Sequence, residues 1–133
     1  MECSCTVGVE IDDYCILLSN KFVKARKEHK CNECNRAIPI GEEYFKEATV
    51  YEGHFQGHKT CEDCYSIRQV FFSSGWYWGD ICMMMEEFIY NCRGDISVSC
   101  ILQLTKPARD WVLDIVEEVW DIIAEEEDGR HGV

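Results

Sequence analysis

The spacing of apolar positions changes from strand-like to helix-like about halfway along the chain. Residues 6–11 alternate loosely and predict a short strand, ended by Asp12-Asp13. Ile16-Leu17-Leu18 and Phe22-Val23 are further apolar patches around a run of basic residues. Residues 43–51 are rich in aromatic and β-branched side chains, Glu52-Gly53 is a turn signal, and 54–59 runs back, which predicts a β-hairpin. After Cys61-Glu62-Asp63-Cys64 the period becomes helical: Ile67, Val70 and Phe71 recur at helical spacing, and Ser73-Ser74-Gly75 ends the run.

Two further helices are expected. Asp80 is placed to cap one whose stripe is Ile81, Met84, Met85, Phe88, Ile89 and Cys92, with Arg93-Gly94 as the stop. Only Met84 and Met85 of the three consecutive methionines face that stripe, so they read as core. Residues 97–104 lean towards a short helix. Thr105 is a cap candidate with Pro107 in the first turn, and a long helix runs to about Glu126. Its apolar face is Ala108, Trp111, Ile115, Val119 and Ile122; Asp110, Asp114, Glu117, Asp121 and Glu125 lie opposite. The predicted fold class is α+β: a small metal module over 1–74 and a helical extension over 75–133 packed on it as one unit.

Composition narrows the class. Hydrophobic residues make up 47% of the 133, enough for a real core and against global disorder. No stretch approaches the roughly 20 apolar residues of a membrane span. The N-terminus lacks the basic flank and apolar run of a secretory signal, so a soluble intracellular protein is expected.

Ten cysteines are many for this length. Two C-x2-C pairs, Cys31/Cys34 and Cys61/Cys64, stand out, with twenty-six residues between them. A disulfide within so short a ring adds little loop-closure entropy, whereas the spacing lets two thiolates grip one ion. Four thiolates meet the tetrahedral demand of zinc and close its shell, so one structural zinc ion is expected. In Cys31-Asn32-Glu33-Cys34-Asn35-Arg36, Asn35 tolerates the left-handed backbone often needed after the second cysteine. The second pair opens a helix, where Glu62 and Asp63 suit the positive end of its dipole. Knuckle, hairpin and then a ligand-bearing helix is the treble-clef order.

Alternatives surround that site. His58, three residues before Cys61, is an alternative ligand. Cys3 and Cys5 form a C-x-C that with Cys15, Cys82, Cys92 or Cys100 would make a second site, although Cys92 and Cys100 fall in apolar runs and read as buried hydrophobes. Lys30, Arg36 and Lys59 are candidates to offset the −2 charge of a zinc tetrathiolate. Trp76 and Trp78, in Gly75-Trp76-Tyr77-Trp78-Gly79, either anchor a partner or plug the gap between module and helices.

Charge is unevenly distributed within the net −12. The part from Asp110 onward has nine acids against Arg130 alone, giving −8, while residues 21–36 have six bases against two acids, giving +4. Acidic helix faces are usually just solvated, but Asp114, Glu117, Glu118 and Asp121 could meet a basic partner. Lys24, Arg26, Lys27 and Lys30 are the alternative, a nucleic-acid contact, although the net negative field opposes it at long range. Association through the aromatic loop and the apolar helix is a third reading. Enzyme readings fail on parts: residues 65–74 carry no histidine for a treble-clef nuclease, and neither pair has a zinc deaminase's His-x-Glu and preceding proline.

The run Val23-Lys24-Ala25-Arg26-Lys27-Glu28-His29-Lys30-Cys31, with Cys34, Ile38, Gly41-Glu42, Tyr44, Gly53, Lys59-Thr60-Cys61 and Cys64, resembles a group of small zinc-binding proteins of phages and prophages. Cys3-Ser4-Cys5 and the helix from Ala108-Arg109-Asp110 to Trp120 are similar too; the resemblance is specific mainly over 23–64. It implies a phage or mobile-element origin, hence the cytoplasm of a bacterial host. The expected function is non-enzymatic: binding and modulating a host or viral macromolecule, for example as an anti-defence inhibitor whose acidic surface competes with nucleic acid.

Overall fold

The computed structural model describes residues 15–131 and, of these, the side chains up to residue 127. The expected strand at 6–11 lies outside the described residues. Nine elements follow in order: β1 (Ile16–Lys24), β2 (His29–Lys30), β3 (Ala37–Ile38), β4 (Glu43–Tyr51), β5 (His54–Cys61), α1 (Glu62–Phe71), α2 (Ile81–Asn91), α3 (Val98–Ile101) and α4 (Lys106–His131). The molecule is mixed α+β.

The hairpin forms where expected. Tyr51 pairs with His54, so the loop is the two residues Glu52 and Gly53. Both have positive φ, 50° and 80°, which matches the twist of the flanking strands. β1 was not foreseen as a strand. It pairs antiparallel with β4 over its whole length, giving the sheet order β1-β4-β5. The register slips between Leu17 and Ser19, so a bulge breaks the alternation that would have revealed it. Ile16, Leu17 and Leu18 are exposed, so no buried stripe marked it either.

Strand alternation gives the sheet two unlike faces. One carries Phe45, Glu47, Thr49, His58 and Thr60, and packs on α1. Phe22, Phe45 and Tyr65 meet there with ring centroids 4.3 to 4.9 Å apart. Beside them Arg68 and Glu47 form an ion pair at 2.7 Å with side chains only 2% and 1% exposed. The guanidinium also lies over the rings of Phe45, Tyr65 and Trp76. Trp78 Nε1 donates to the same Glu47 oxygen at 3.1 Å, and its ring stacks on His58. Removing one partner of such a pair leaves a buried charge, typically a loss of about 3–5 kcal/mol.

Two hydrophobic cores result. The larger is helical, with Ile67, Phe71, Ile81, Met85, Ile89, Leu104, Val112 and Val116 at its centre. Among the described residues the smaller has Ala25, Ile38 and Tyr44 around Cys31, Cys61 and Cys64, with Val23 and Cys82 packed against it. That is little apolar surface to order β2, β3 and their turns. On α4 the buried stripe includes Val112 and Val116, while the expected Ile122 is 41% exposed. The stripe is turned by about one position because Trp111 sits half-buried at its margin. α3 is shorter than 97–104, and Gly94 (φ 75°) closes α2 through its N–H to Ile89 O at 2.9 Å.

His58 reports on the Glu47–Arg68 face. Burial lowers its pKa from 6.5; the Arg68 charge also lowers it, and Glu47 opposes. The imidazole is therefore neutral in the fold at pH values where an unfolded chain would take up a proton. Its contribution to stability is full above pH 6.5 and is lost as pH falls from there through the lower pKa of the folded state. In an NMR titration of the metal-loaded protein, the His58 midpoint should lie below 6.5; a midpoint at or above it would contradict this packing.

Candidate metal centre

β2, β3 and the turn joining them hold the first cysteine pair. Cys31 N donates to Arg36 O at 2.9 Å and Asn35 N to Cys31 O at 3.0 Å, with Asn35 at φ 64° as its type and position led us to expect. This turn docks on β5: Asn32 N donates to Lys59 O at 2.8 Å, and Lys59 N donates to Asn32 Oδ1 at 2.7 Å. Cys61 is both the last residue of β5 and the N-cap of α1, its sulfur accepting from Cys64 N at 3.5 Å. The second pair therefore sits on the helix's first turn.

The sulfurs of Cys31, Cys34, Cys61 and Cys64 all lie within 4.8 Å of one another and could hold a metal ion. Three of the four residues are buried and Cys34 is exposed. Cys31 Sγ accepts from Glu33 N at 3.4 Å and from Cys61 N at 3.3 Å. Thiol hydrogen bonds from Cys61 and Cys64 hold Cys31 well below the ordinary thiol range, and the neighbouring Cys31 sulfur pushes Cys61 up to about 12. Cys64 is raised by its thiol contacts with Cys31, Cys61 and Cys82, and Cys34, although the residue is exposed, by partial desolvation of its sulfur. Four such close thiols do not all ionise unaided. A divalent cation would let them, releasing protons as it binds.

The residue before the second cysteine of each pair is acidic, and each reaches into the helical half. Glu33 accepts from Gly79 N at 2.7 Å and from Ile81 N at 3.0 Å, at the start of α2. It does the work expected of Asp80, whose side chain makes no cap bond. Burial raises the Glu33 pKa, against the pull of those two N–H groups. Asp63 accepts from Thr105 Oγ1 at 2.7 Å, just before α4, and Thr105 N donates to Ser66 Oγ at 3.3 Å. The two cysteine turns thus hold the starts of both major C-terminal helices. Neither tether was read from the sequence; the signal available was an acid at the same place in both pairs.

The other expected positions fall as follows. His58 sits on the opposite sheet face from Cys61, its Nε2 2.9 Å from Thr49 Oγ1, so it is apart from the thiol cluster. Cys3 and Cys5 lie outside the described residues. Cys82, in the first turn of α2, packs beside the thiol cluster; Cys92 is half-buried and Cys100 is fully buried in the helical core. Arg36 bridges Glu42 at 2.9 Å and Asp63 at 3.3 Å, while Lys30 is exposed. Trp76 and Trp78 turn inward and fill the gap between sheet and helices; Tyr77 is the exposed ring of that turn. Asp114, Glu117, Glu118 and Asp121 are all exposed. Lys24, Arg26 and Lys27 share one cleft, which Lys30 does not line.

A separate cleft of about 340 Å³ reaches Cys34, Cys64 and Cys82 between Glu33 and Trp111. No helix among the described residues is long and apolar enough to cross a membrane. Comparisons with family models, curated proteins and solved structures find no match.

Glu33→Ala should lower stability by about 1–2 kcal/mol, the loss of a helix cap with its charge–dipole term. Chemical denaturation of the metal-loaded protein measures this, and metal stoichiometry should stay unchanged. An unaltered midpoint would mean that Glu33 does not hold α2.

Proposed function

We infer that the chain is a zinc-organised, non-enzymatic binding protein. The observation that carries this reading is the cluster of four thiols. A tetrahedral zinc site with Zn–S bonds of about 2.3 Å has sulfur–sulfur edges of about 3.8 Å. The Cys34 and Cys61 sulfurs are 3.8 Å apart, which supports zinc as the ion. All-sulfur donors favour a soft or borderline ion over magnesium or calcium. Four protein ligands leave zinc no open position for water or substrate, so the ion would stabilise the fold rather than catalyse. A first pair on a β-turn and a second on a helix opening is also the order of a treble clef.

What the zinc organises would be a surface for a macromolecular partner. Asp114, Glu117, Glu118 and Asp121 stand exposed along α4, anchored on the other side by Val112, Ile115, Val116 and Val119. A rigid acidic ridge of this kind suits a basic protein surface. The likeness to small phage zinc-binding proteins agrees with a host protein in that role.

Mass spectrometry under native conditions should find one zinc per chain. Chelation should abolish the cooperative melt, because the small core around the thiols has too little apolar surface to persist alone. A folded preparation without stoichiometric metal, or a melt indifferent to chelation, would contradict the reading. The neutral variant D114N/E117Q/E118Q/D121N should keep its zinc and lose capture of a basic protein from bacterial lysate that the unaltered chain retains; equal capture by both would remove the acidic ridge from the account.

A further inference from the structure

The sheet face opposite α1 brings three lysines into one row. Lys21 lies directly across from Lys46 on the neighbouring strand, and Lys46 directly across from Lys59. With strand order β1-β4-β5, the row crosses the whole sheet. Lys24, Arg26 and Lys27, from the end of β1 and the turn after it, line the same cleft of about 980 Å³. Among the described residues no aspartate or glutamate lines it, although Glu43 lies directly across from Lys24 on the neighbouring strand. None of the six takes part in an ion pair among the described residues.

Like charges directly opposite on paired strands destabilise a sheet. Here two such pairs adjoin, and six of the thirteen lysines and arginines of a chain with net charge −12 gather in one concavity. The arrangement runs against the chain's own average, and an anion would relieve the repulsion within the two like-charged pairs. Strands about 4.8 Å apart make the row about 10 Å long. A nucleic-acid strand in a duplex carries one phosphate per about 3.4 Å of axis and its phosphates lie farther apart than that along the backbone, so lysine side chains splaying from the row reach about two to three of them.

We propose that this sheet face binds the phosphodiester backbone of a nucleic acid, with Lys21, Lys46 and Lys59 along successive phosphates and Lys24, Arg26 and Lys27 flanking them. Five of the six cations are lysine, a point charge that meets phosphate oxygens without a fixed angle of approach. Of the rings that line the cleft Tyr44 is buried and His29 is half-buried against it, so phosphate contacts dominate and the binding is independent of sequence. Salt of about 0.1 M screens charges beyond about 10 Å, which lets the local cations prevail over acids farther away. The proposal rests on the reading of a zinc-organised binding protein, because the Asn32–Lys59 pairing ties the last lysine of the row to the first cysteine turn.

The test is fluorescence anisotropy of the metal-loaded full chain with a labelled mixed-sequence duplex, and with a single strand of equal length, over a salt series. For the duplex, affinity should fall with a log–log slope of about −3 or steeper. K21Q/K46Q/K59Q should weaken binding about tenfold or more at low salt and flatten the slope by about three, with zinc content unchanged and the melting temperature equal or higher, since the opposed charges are gone. K46Q alone should give a smaller loss in the same direction, and serves if the triple variant does not fold. Scrambling the sequence should change nothing. Absence of binding by the folded, zinc-loaded chain, or binding untouched by K46Q, would overturn the proposal and leave the zinc reading standing. Light scattering that shows self-association abolished by the lysine variants, without nucleic-acid binding, would make the occupant the acidic helix of a second copy. A chain that binds through these lysines yet holds no metal would overturn the zinc reading instead.

Discussion

Four thiols crowded within 4.8 Å are the constraint on which the rest of this structure depends. Around them the apolar core is thin, and the short strands β2 and β3 share only a two-residue ladder. A metal held by all four sulfurs would supply the cohesion that burial there does not. The turn carrying Cys31 and Cys34 would then be fixed to the junction of β5 and α1, which carries Cys61 and Cys64.

The same turns reach into the second half of the chain. Glu33 sits between two cysteines and binds the start of α2; Asp63 sits between the other two and binds the residue before α4. A carboxylate at a helix start accepts N–H groups that would otherwise lack partners and meets the positive end of the dipole. Division into a metal module and a helical extension therefore describes the chain's order, while the polar contacts join the two. The inward tryptophans and the Arg68–Glu47 pair reinforce that junction from the far side of the sheet.

How much of this was legible in the sequence depends on how local each signal is. The hairpin was, because Glu52-Gly53 and two β-rich runs specify it without help from elsewhere. The cysteine pairs were, because ligand spacing is set within four residues. β1 was not, since the bulge beyond Leu17 disrupts its period and its apolar residues face outward. The capping role of Glu33 was hidden because its partners lie 46 and 48 residues away, and Asp80 looked like the nearer answer. A basic strip over 21–36 was visible, but the lysine row was not. Lys46 and Lys59 join Lys21 only through strand register, while Lys30, in the same basic strip as Lys21, does not line that cleft.

Hydrogen exchange before and after chelation tests most directly whether the metal centre governs both halves. The account predicts that removing the ion strips protection from the cysteine turns and, with them, from Ile81 at the head of α2 and the opening turn of α4. Protection at those two helix starts that survives while the cysteine turns open would contradict it.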